Sequence, residues 1–73
     1  MKRKMQMQYE DLQVHLGYSS QYRHYRVCVE RQPIGWVVPH VNTAYTSQGE
    51  ALGRFTTLER AVDAVAEHYK YFH

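Results

Sequence analysis

The sequence contains six side chains that could bind a metal ion or act as a nucleophile and its base. They are Cys28 and the five histidines His15, His24, His40, His68 and His73. His24 and Cys28 are four residues apart on a predicted strand, which separates them by about 13 Å. A single zinc ion binds its ligands at about 2.0–2.3 Å and cannot reach both. We therefore predict no metal site, and the same separation speaks against a cysteine–histidine catalytic pair.

Other catalytic patterns are not evident. Glu10 and Asp11 are adjacent acids, and the remaining paired acids lie on a predicted helix surface, where carboxylates are usually solvated. The glycines are scattered over predicted turns and form no phosphate-binding loop. They are Gly17, Gly35, Gly49 and Gly53. The sequence therefore predicts a binding protein that is not an enzyme and uses no cofactor.

Arginine and aromatic side chains alternate between Tyr22 and Arg26. Aromatic residues make up 14% of the chain, seven of them tyrosines. About half of these rings could simply fill a small core with their hydroxyl groups outward. Arginine and aromatic rings on a sheet can contact phosphates and stack on bases, and they also dominate the binding energy of protein–protein interfaces. A basic N-terminal segment could contact phosphates as well. The predicted binding residues are Arg23, Arg26, Trp36, Arg54 and Tyr22, together with Lys2, Arg3 and Lys4.

An apolar pattern with helical spacing predicts a helix over residues 57–71. Glu59 stands three residues after Thr56, so the two predict a capping box with Thr56 as the N-cap, and Thr57 is the alternative cap. An amphipathic helix of this length needs a surface to cover. The apolar stripe consists of Leu58, Ala61, Val62, Val65, Tyr69 and Phe72.

Strands are predicted upstream of the helix. Residues 22–38 are rich in Tyr, Val, Ile and Trp and predict two strands around a turn. Alternation places Tyr25, Val27 and Val29 on one face, against the helix. The opposite face carries Tyr22, His24, Arg26 and Cys28. Residues 41–55 predict one or two more strands with a turn at 47–50, while residues 9–16 fit a helix or a strand.

These elements predict an α+β fold: a small antiparallel sheet of three or four strands packed against one C-terminal α-helix. The chain of 73 residues is a single domain, with residues 1–8 as a flexible basic arm. One cysteine cannot form an internal disulfide, and no apolar segment follows the basic N-terminus. We therefore expect a cytoplasmic protein without membrane partners.

The segment from Pro33 to Phe72 resembles the later part of an AP2/ERF-type DNA-binding domain. It shares a Gly-Trp-Val strand at 35–37, a Leu-Gly-x-Phe-x-Thr motif at 52–57, and an alanine-rich helix after it. Phage integrase arm-binding domains are similar, with a three-stranded sheet and a closing helix. The likeness covers residues 25–72. It implies DNA binding through the exposed face of the sheet, where Arg26 and Arg31 would lie.

Two functions therefore remain open. Residues 1–55 contain seven basic and four acidic residues, whereas residues 56–73 contain two basic and three acidic ones. The positive charge therefore lies on the N-terminal segment and the predicted strands, although a dedicated nucleic-acid-binding domain is often more basic. The resemblance favours a nucleic-acid-binding module that uses the sheet face. A short and mildly charged chain also suits an interaction or inhibitor protein, encoded by a phage or mobile element, that docks on a host protein. A continuous basic face would favour nucleic acid, and a mixed aromatic patch would favour a protein partner.

Overall fold

A computed structural model describes residues 4–9 and 12–72 of the chain, and the side chains of residues 12–71. The described residues form six strands followed by one helix. They are β1 (Lys4–Tyr9), β2 (Leu12–Ser19), β3 (His24–Val29), β4 (Gln32–Val38), β5 (Thr43–Thr46), β6 (Ala51–Arg54) and α1 (Leu58–Phe72). Each strand pairs with the next in an antiparallel manner, so that the sheet follows the order of the sequence. Short connections between strands favour this topology.

The predicted α+β class is confirmed, and the sheet contains more strands than the three or four predicted. The ambiguous segment 9–16 contributes to two of them. Gly17, expected to end this element, lies inside β2, which continues to Ser19. The prediction of a flexible arm over residues 1–8 is wrong from Lys4 onward, because the backbone from Lys4 to Tyr9 pairs with β2 as β1.

The core lies on the face of the sheet that α1 covers. Val27 and Val29 of β3 are buried as predicted, and Val14 and Leu16 of β2 are their cross-strand partners. Burying side chains of this size stabilises the fold by about 1.5–3 kcal/mol each. Among the described side chains, the buried apolar set is Val14, Leu16, Val27, Val29, Ile34, Val37, Ala44, Ala61, Val62, Val65 and Ala66. The fully buried part of the core is therefore aliphatic, and aromatic side chains pack against it only partly buried: Tyr25, Phe55 and Tyr69.

Two irregularities in strand pairing add side chains to this core. Val27 pairs with Gly35 and Cys28 pairs with Pro33, which leaves Ile34 as an extra residue in β4. Leu52 of β6 is left over in the same way. A β-bulge turns an additional side chain out of the regular alternation. Ile34 is buried and Leu52 packs against the core, so both bulges increase apolar burial.

Helix α1 packs across β4, β5 and β6 at a close crossing point. The predicted stripe is confirmed from Leu58 to Tyr69, since Ala61, Val62 and Val65 are buried and the two end residues pack against the core. The side chain of Phe72 lies outside the described residues. Gly35 of β4 lies below Val65, and a Cβ atom on Gly35 would stand 2.7 Å from Val65 Cγ1 and collide with the Tyr45 carbonyl oxygen. A glycine in a strand allows such an approach. The absence of a side chain at Gly35 therefore sets the distance between helix and sheet.

The N-terminus of the helix is capped by Thr57. The Arg60 amide donates to Thr57 Oγ1 at 3.1 Å, and the Ala61 amide donates to the Thr57 carbonyl at 3.2 Å. The prediction of Thr56 as cap is therefore wrong, and the alternative is confirmed. Glu59 is the second residue of the helix rather than the third, so it cannot close a capping box.

We expect Gly35→Ala to destabilise the domain by at least about 2 kcal/mol, because a core this tight cannot absorb a methyl group against a backbone carbonyl. The matched control is Gly17→Ala, since a Cβ atom on Gly17 has no neighbour within 4 Å. Chemical denaturation would measure both changes. Equal stability of the two variants would contradict the close crossing at Gly35.

Thr57→Ala should lower the free energy of unfolding by about 1 kcal/mol, because the hydroxyl that accepts from the Arg60 amide is lost. Thr56→Ala should cost no more than about 0.5 kcal/mol, as expected for an exposed residue outside the cap. Thermal melts of the two variants provide the comparison, since about 1 kcal/mol moves Tm by about 4–8 °C in a domain of this size. A larger loss at Thr56 would reassign the cap.

Candidate functional site

The face of the sheet opposite the core is not covered by the helix, and we call it the open face. Alternation along each strand assigns its residues, because neighbours of buried residues point to the other side. Arg26 and Trp36 are cross-strand partners at its centre, and Gly17 and Tyr45 extend this row into β2 and β5. The residues of the open face in β2 to β5 include His15, Gly17, Ser19, His24, Arg26, Cys28, Trp36, Thr43 and Tyr45.

Four aromatic side chains form a continuous stack across the open face, which we call the ring stack. Tyr22 stacks on His24 with ring centroids 5.5 Å apart. His24 stacks on Trp36 at 5.7 Å, and Trp36 on Tyr45 at 5.7 Å. The planes differ by 18° to 24° from one ring to the next. Each aromatic contact adds about 0.5–1.5 kcal/mol beyond area burial, so the stack has a fixed geometry.

The rings of the stack differ in how exposed they are to solvent. His24 and Trp36 each have a ring on both sides and are half-buried. Tyr22 is 62% exposed and has one ring neighbour. Its loop position, just before β3, places it at the margin of the sheet. Tyr22 is therefore the most exposed ring of the stack.

Arg26 supplies positive charge at the centre of the open face. Its side chain is exposed and its backbone lies directly opposite Trp36. Burial in the ring stack lowers the pKa of His24, and the charge of Arg26 lowers it further. His24 is therefore neutral at pH 7. Its uncharged ring lies between those of Tyr22 and Trp36 in the stack.

Charge is distributed unequally between the two sides of the domain. Strands β2 to β6 contain Arg26 and Arg54 and no Asp or Glu. The exposed side of α1 carries Glu59, Asp63 and Glu67. Partial burial raises the pKa of Asp63, the neighbouring Glu59 and Glu67 raise it further, and Arg60 opposes them. Because α1 also carries Arg60 and Lys70, its net charge is −1, whereas strands β2 to β6 carry +2. The strands are thus the more positive part of the domain.

A shallow groove of about 760 Å³ crosses the open face beside the ring stack. Strands β2 and β3 form its floor and the loops at both ends of β3 form its margins. Its lining residues include His15, Gly17, Tyr22, Arg26, Cys28 and Arg31. Gly17 leaves the floor without a side chain, because a Cβ atom there would meet nothing within 4 Å. The volume lies within the range of ligand-binding pockets.

The turn at one end of the groove has a strained backbone. Glu30 and Arg31 form the two-residue connection between β3 and β4, with φ angles of 51° and 69°. Hairpin turns of this shape favour Asn-Gly, because a left-handed conformation costs about 1–2 kcal/mol for other residues. Both residues line the groove. Charged side chains kept at such a cost are typical of functional sites.

The cross-strand partner of Cys28 on the open face is His15 rather than His24. Burial raises the pKa of the Cys28 thiol, and the charge of Arg26 offsets this only in part. Burial therefore disfavours the thiolate, which is the nucleophilic form of cysteine. Among the residues that the structure describes, no three His, Cys, Asp or Glu side chains lie together as a metal site would require.

The structure brings some of the predicted binding residues together and separates others. Tyr22 and Trp36 belong to the ring stack and Arg26 lies beside it, whereas Arg23 is exposed in the loop next to Tyr22. Arg54 lies on β6, at the far edge of the sheet. Lys4 pairs with Gly17 through its backbone, and its side chain, like Lys2 and Arg3, lies outside the described residues.

Two members of the ring stack were not among the predicted binding residues. Tyr45 was missed because its face depends on the pairing of β5 with β4. His24 was considered as a metal ligand rather than as an aromatic ring. The alternation Thr43-Ala44-Tyr45-Thr46 in β5 is a signal that could have placed Tyr45 opposite the core.

Comparisons of the chain with protein-family models, curated proteins and solved structures found no match. The likeness of residues 25–72 to DNA-binding domains thus remains a prediction. The helix in the described part of the chain is too short and too polar to span a bilayer.

His24 should make stability depend on pH. Because its pKa is lowered in the fold, the unfolded chain takes up a proton first, and the contribution of His24 to stability is lost as pH falls below 6.5. His24→Phe keeps a ring in the stack and removes the titration. Between pH 7.5 and 5, the free energy of unfolding measured by chemical denaturation should fall less steeply for this variant than for the parent chain. An equal fall in the two chains would show that the fold does not disfavour the charged form of His24.

Proposed function

We propose that the chain is a small, non-enzymatic nucleic-acid-binding module that uses the open face. The observation that carries the proposal is the ring stack with Arg26 beside it on an acid-free set of strands. Rings on a sheet with arginines around them are a recurrent means of binding bases and phosphates. Four aligned rings on one solvent-facing side exceed what a small core requires.

Electrostatics supports a polyanionic partner. The exposed arginines Arg23, Arg26 and Arg31 lie in or around the groove, and Glu30 is the acid that lines it. The acids of α1 lie on the opposite side of the sheet. A polyanion would therefore be attracted to the open face and repelled from the helix. The resemblance to AP2/ERF-type and integrase arm-type domains is consistent with the same face.

A protein partner on the same face is the second candidate. The patch mixes aromatic rings with arginine, and Tyr, Trp and Arg are the residues on which protein interfaces most depend. A host protein bound by a phage or mobile-element product would fit this surface. The strands' lack of acidic residues favours nucleic acid, because a protein interface usually pairs charges of both signs. The two candidates are distinguished by how binding depends on salt concentration and on the length of the nucleic-acid ligand.

Arg26→Ala should weaken the binding of labelled oligonucleotides and reduce its salt dependence. Each phosphate neutralised contributes about 0.9 to the log–log salt slope on duplex and about 0.7 on single strands. The slope should therefore fall by about that amount while the melting curve stays unchanged, because Arg26 is exposed. Fluorescence anisotropy titrations at salt concentrations between about 50 and 200 mM measure this slope.

Arg60→Ala is the matched control, since Arg60 is an exposed arginine on α1, away from the open face. Its salt slope should equal that of the parent chain. Equal losses for the two variants would point to binding by overall charge. If neither duplex nor single strands bind at tens of micromolar near 50 mM salt, where non-specific binding should be strong, the proposal is wrong. A pull-down with Tyr22→Ala and Arg26→Ala as controls would then test the protein partner.

A further inference from the structure

Resting on the proposed function, we infer that the groove over Gly17 receives an unpaired base, which makes single-stranded nucleic acid the ligand of the open face. The base would continue the ring stack beyond Tyr22. Its sugar and phosphate would lie toward Arg26 and Arg31 on the groove margin. Three features of the groove lead to this assignment.

The first feature is the direction in which the ring stack can grow. The inner rings His24 and Trp36 each have two ring neighbours, whereas the terminal rings Tyr22 and Tyr45 have one each. Of the two terminal rings, Tyr45 is half-buried and is not among the residues that line the groove. Tyr22 lines the groove and is 62% exposed, whereas its stacking partner His24 does not line it. A planar group that enters the groove can therefore meet the ring of Tyr22. Nucleobases are planar groups that stack on tyrosine in a sequence-tolerant way.

The second feature is the floor of the groove. Gly17 lies between His15 and Ser19 on the open face. Among the side chains that the structure describes, and apart from its chain neighbours, nothing lies within 4 Å of the place where a Cβ atom on Gly17 would stand. Any other residue at this position would project into the groove. A glycine inside a strand often marks a place where a ligand approaches the backbone closely. The space above Gly17 is thus continuous with the space beside Tyr22.

The third feature is the arrangement of charge around that space. Arg26 is the cross-strand partner of Gly17, and Arg31 lies in the strained turn that lines the same groove. Two guanidinium groups at the margin and an apolar ring at the end match a nucleotide, which is charged at the phosphate and apolar on the base. A duplex keeps its bases stacked and paired, so it offers phosphates and base edges but no free base face to the ring of Tyr22. An unpaired strand can use both parts of the site.

The test uses three ligands of equal length: a thymine homopolymer, the same strand with every base removed, and a duplex. The variant is Gly17→Val, which fills the groove with a residue favoured in strands and adds no charge. Gln13→Val is the matched control, because Gln13 is exposed in β2 and is not among the groove's lining residues. Thermal melts of both variants report on the fold, and anisotropy reports on affinity.

We expect the parent chain to bind the thymine strand about tenfold more tightly than the abasic strand, in line with about 1–3 kcal/mol per stacked base. Gly17→Val should remove this preference and leave abasic binding unchanged, and Gln13→Val should keep it. Tyr22→Leu should lose the preference, whereas Tyr22→Phe should retain it. This pattern would identify stacking on a ring rather than general contact.

Each contrary result has a separate meaning. Equal affinity of the parent chain for thymine and abasic strands, or tighter binding of the duplex, would overturn the base-docking inference while nucleic-acid binding stands. A preference that survives Gly17→Val in a folded variant would also overturn it, because the base would then lie elsewhere. Binding of none of the three ligands would refute the proposed function itself.

Discussion

The close approach of helix α1 to strand β4 at Gly35 is the constraint on which the rest of the structure depends. Val65 can lie over β4 because Gly35 has no side chain, and the neighbouring Tyr45 carbonyl leaves no room for one. A helix seated at this distance buries a layer of small aliphatic residues without any aromatic ring at its centre. The sheet is then fully occupied on one face, and its other face is free to carry side chains that the core does not need.

The ring stack follows from this division of the sheet. A small domain usually places its tryptophan in the core, because aromatic side chains bury the most apolar area. Here Trp36 alternates with the buried Val37 and lies on the open face between His24 and Tyr45. Contacts between the rings stabilise the domain and also hold the rings in place. A preorganised surface binds with less loss of conformational entropy than a mobile one.

The surroundings of the stack combine unfavourable local features with useful chemistry. The turn of Glu30 and Arg31 accepts left-handed backbone angles where Asn-Gly would be less strained. His24 sits in an environment that disfavours its own charge. Three of the seven acidic residues lie on the helix, and strands β2 to β6 contain none. Together these features make the open face polarised and rigid, as a surface for a negatively charged and partly planar ligand would be.

Local patterns in the sequence determined the helix, its buried stripe around Val65, and the two faces of β3, because spacing along one element decides which side chains share a side. They also determined the α+β class. Tertiary structure alone decided the number of strands, the cap at Thr57 and the pairing of Gly17 with Arg26. It also brought Tyr22, His24, Trp36 and Tyr45 into one stack, since those rings come from a loop and three strands. Register and bulges depend on contacts between distant segments, and no periodicity within a single segment records them.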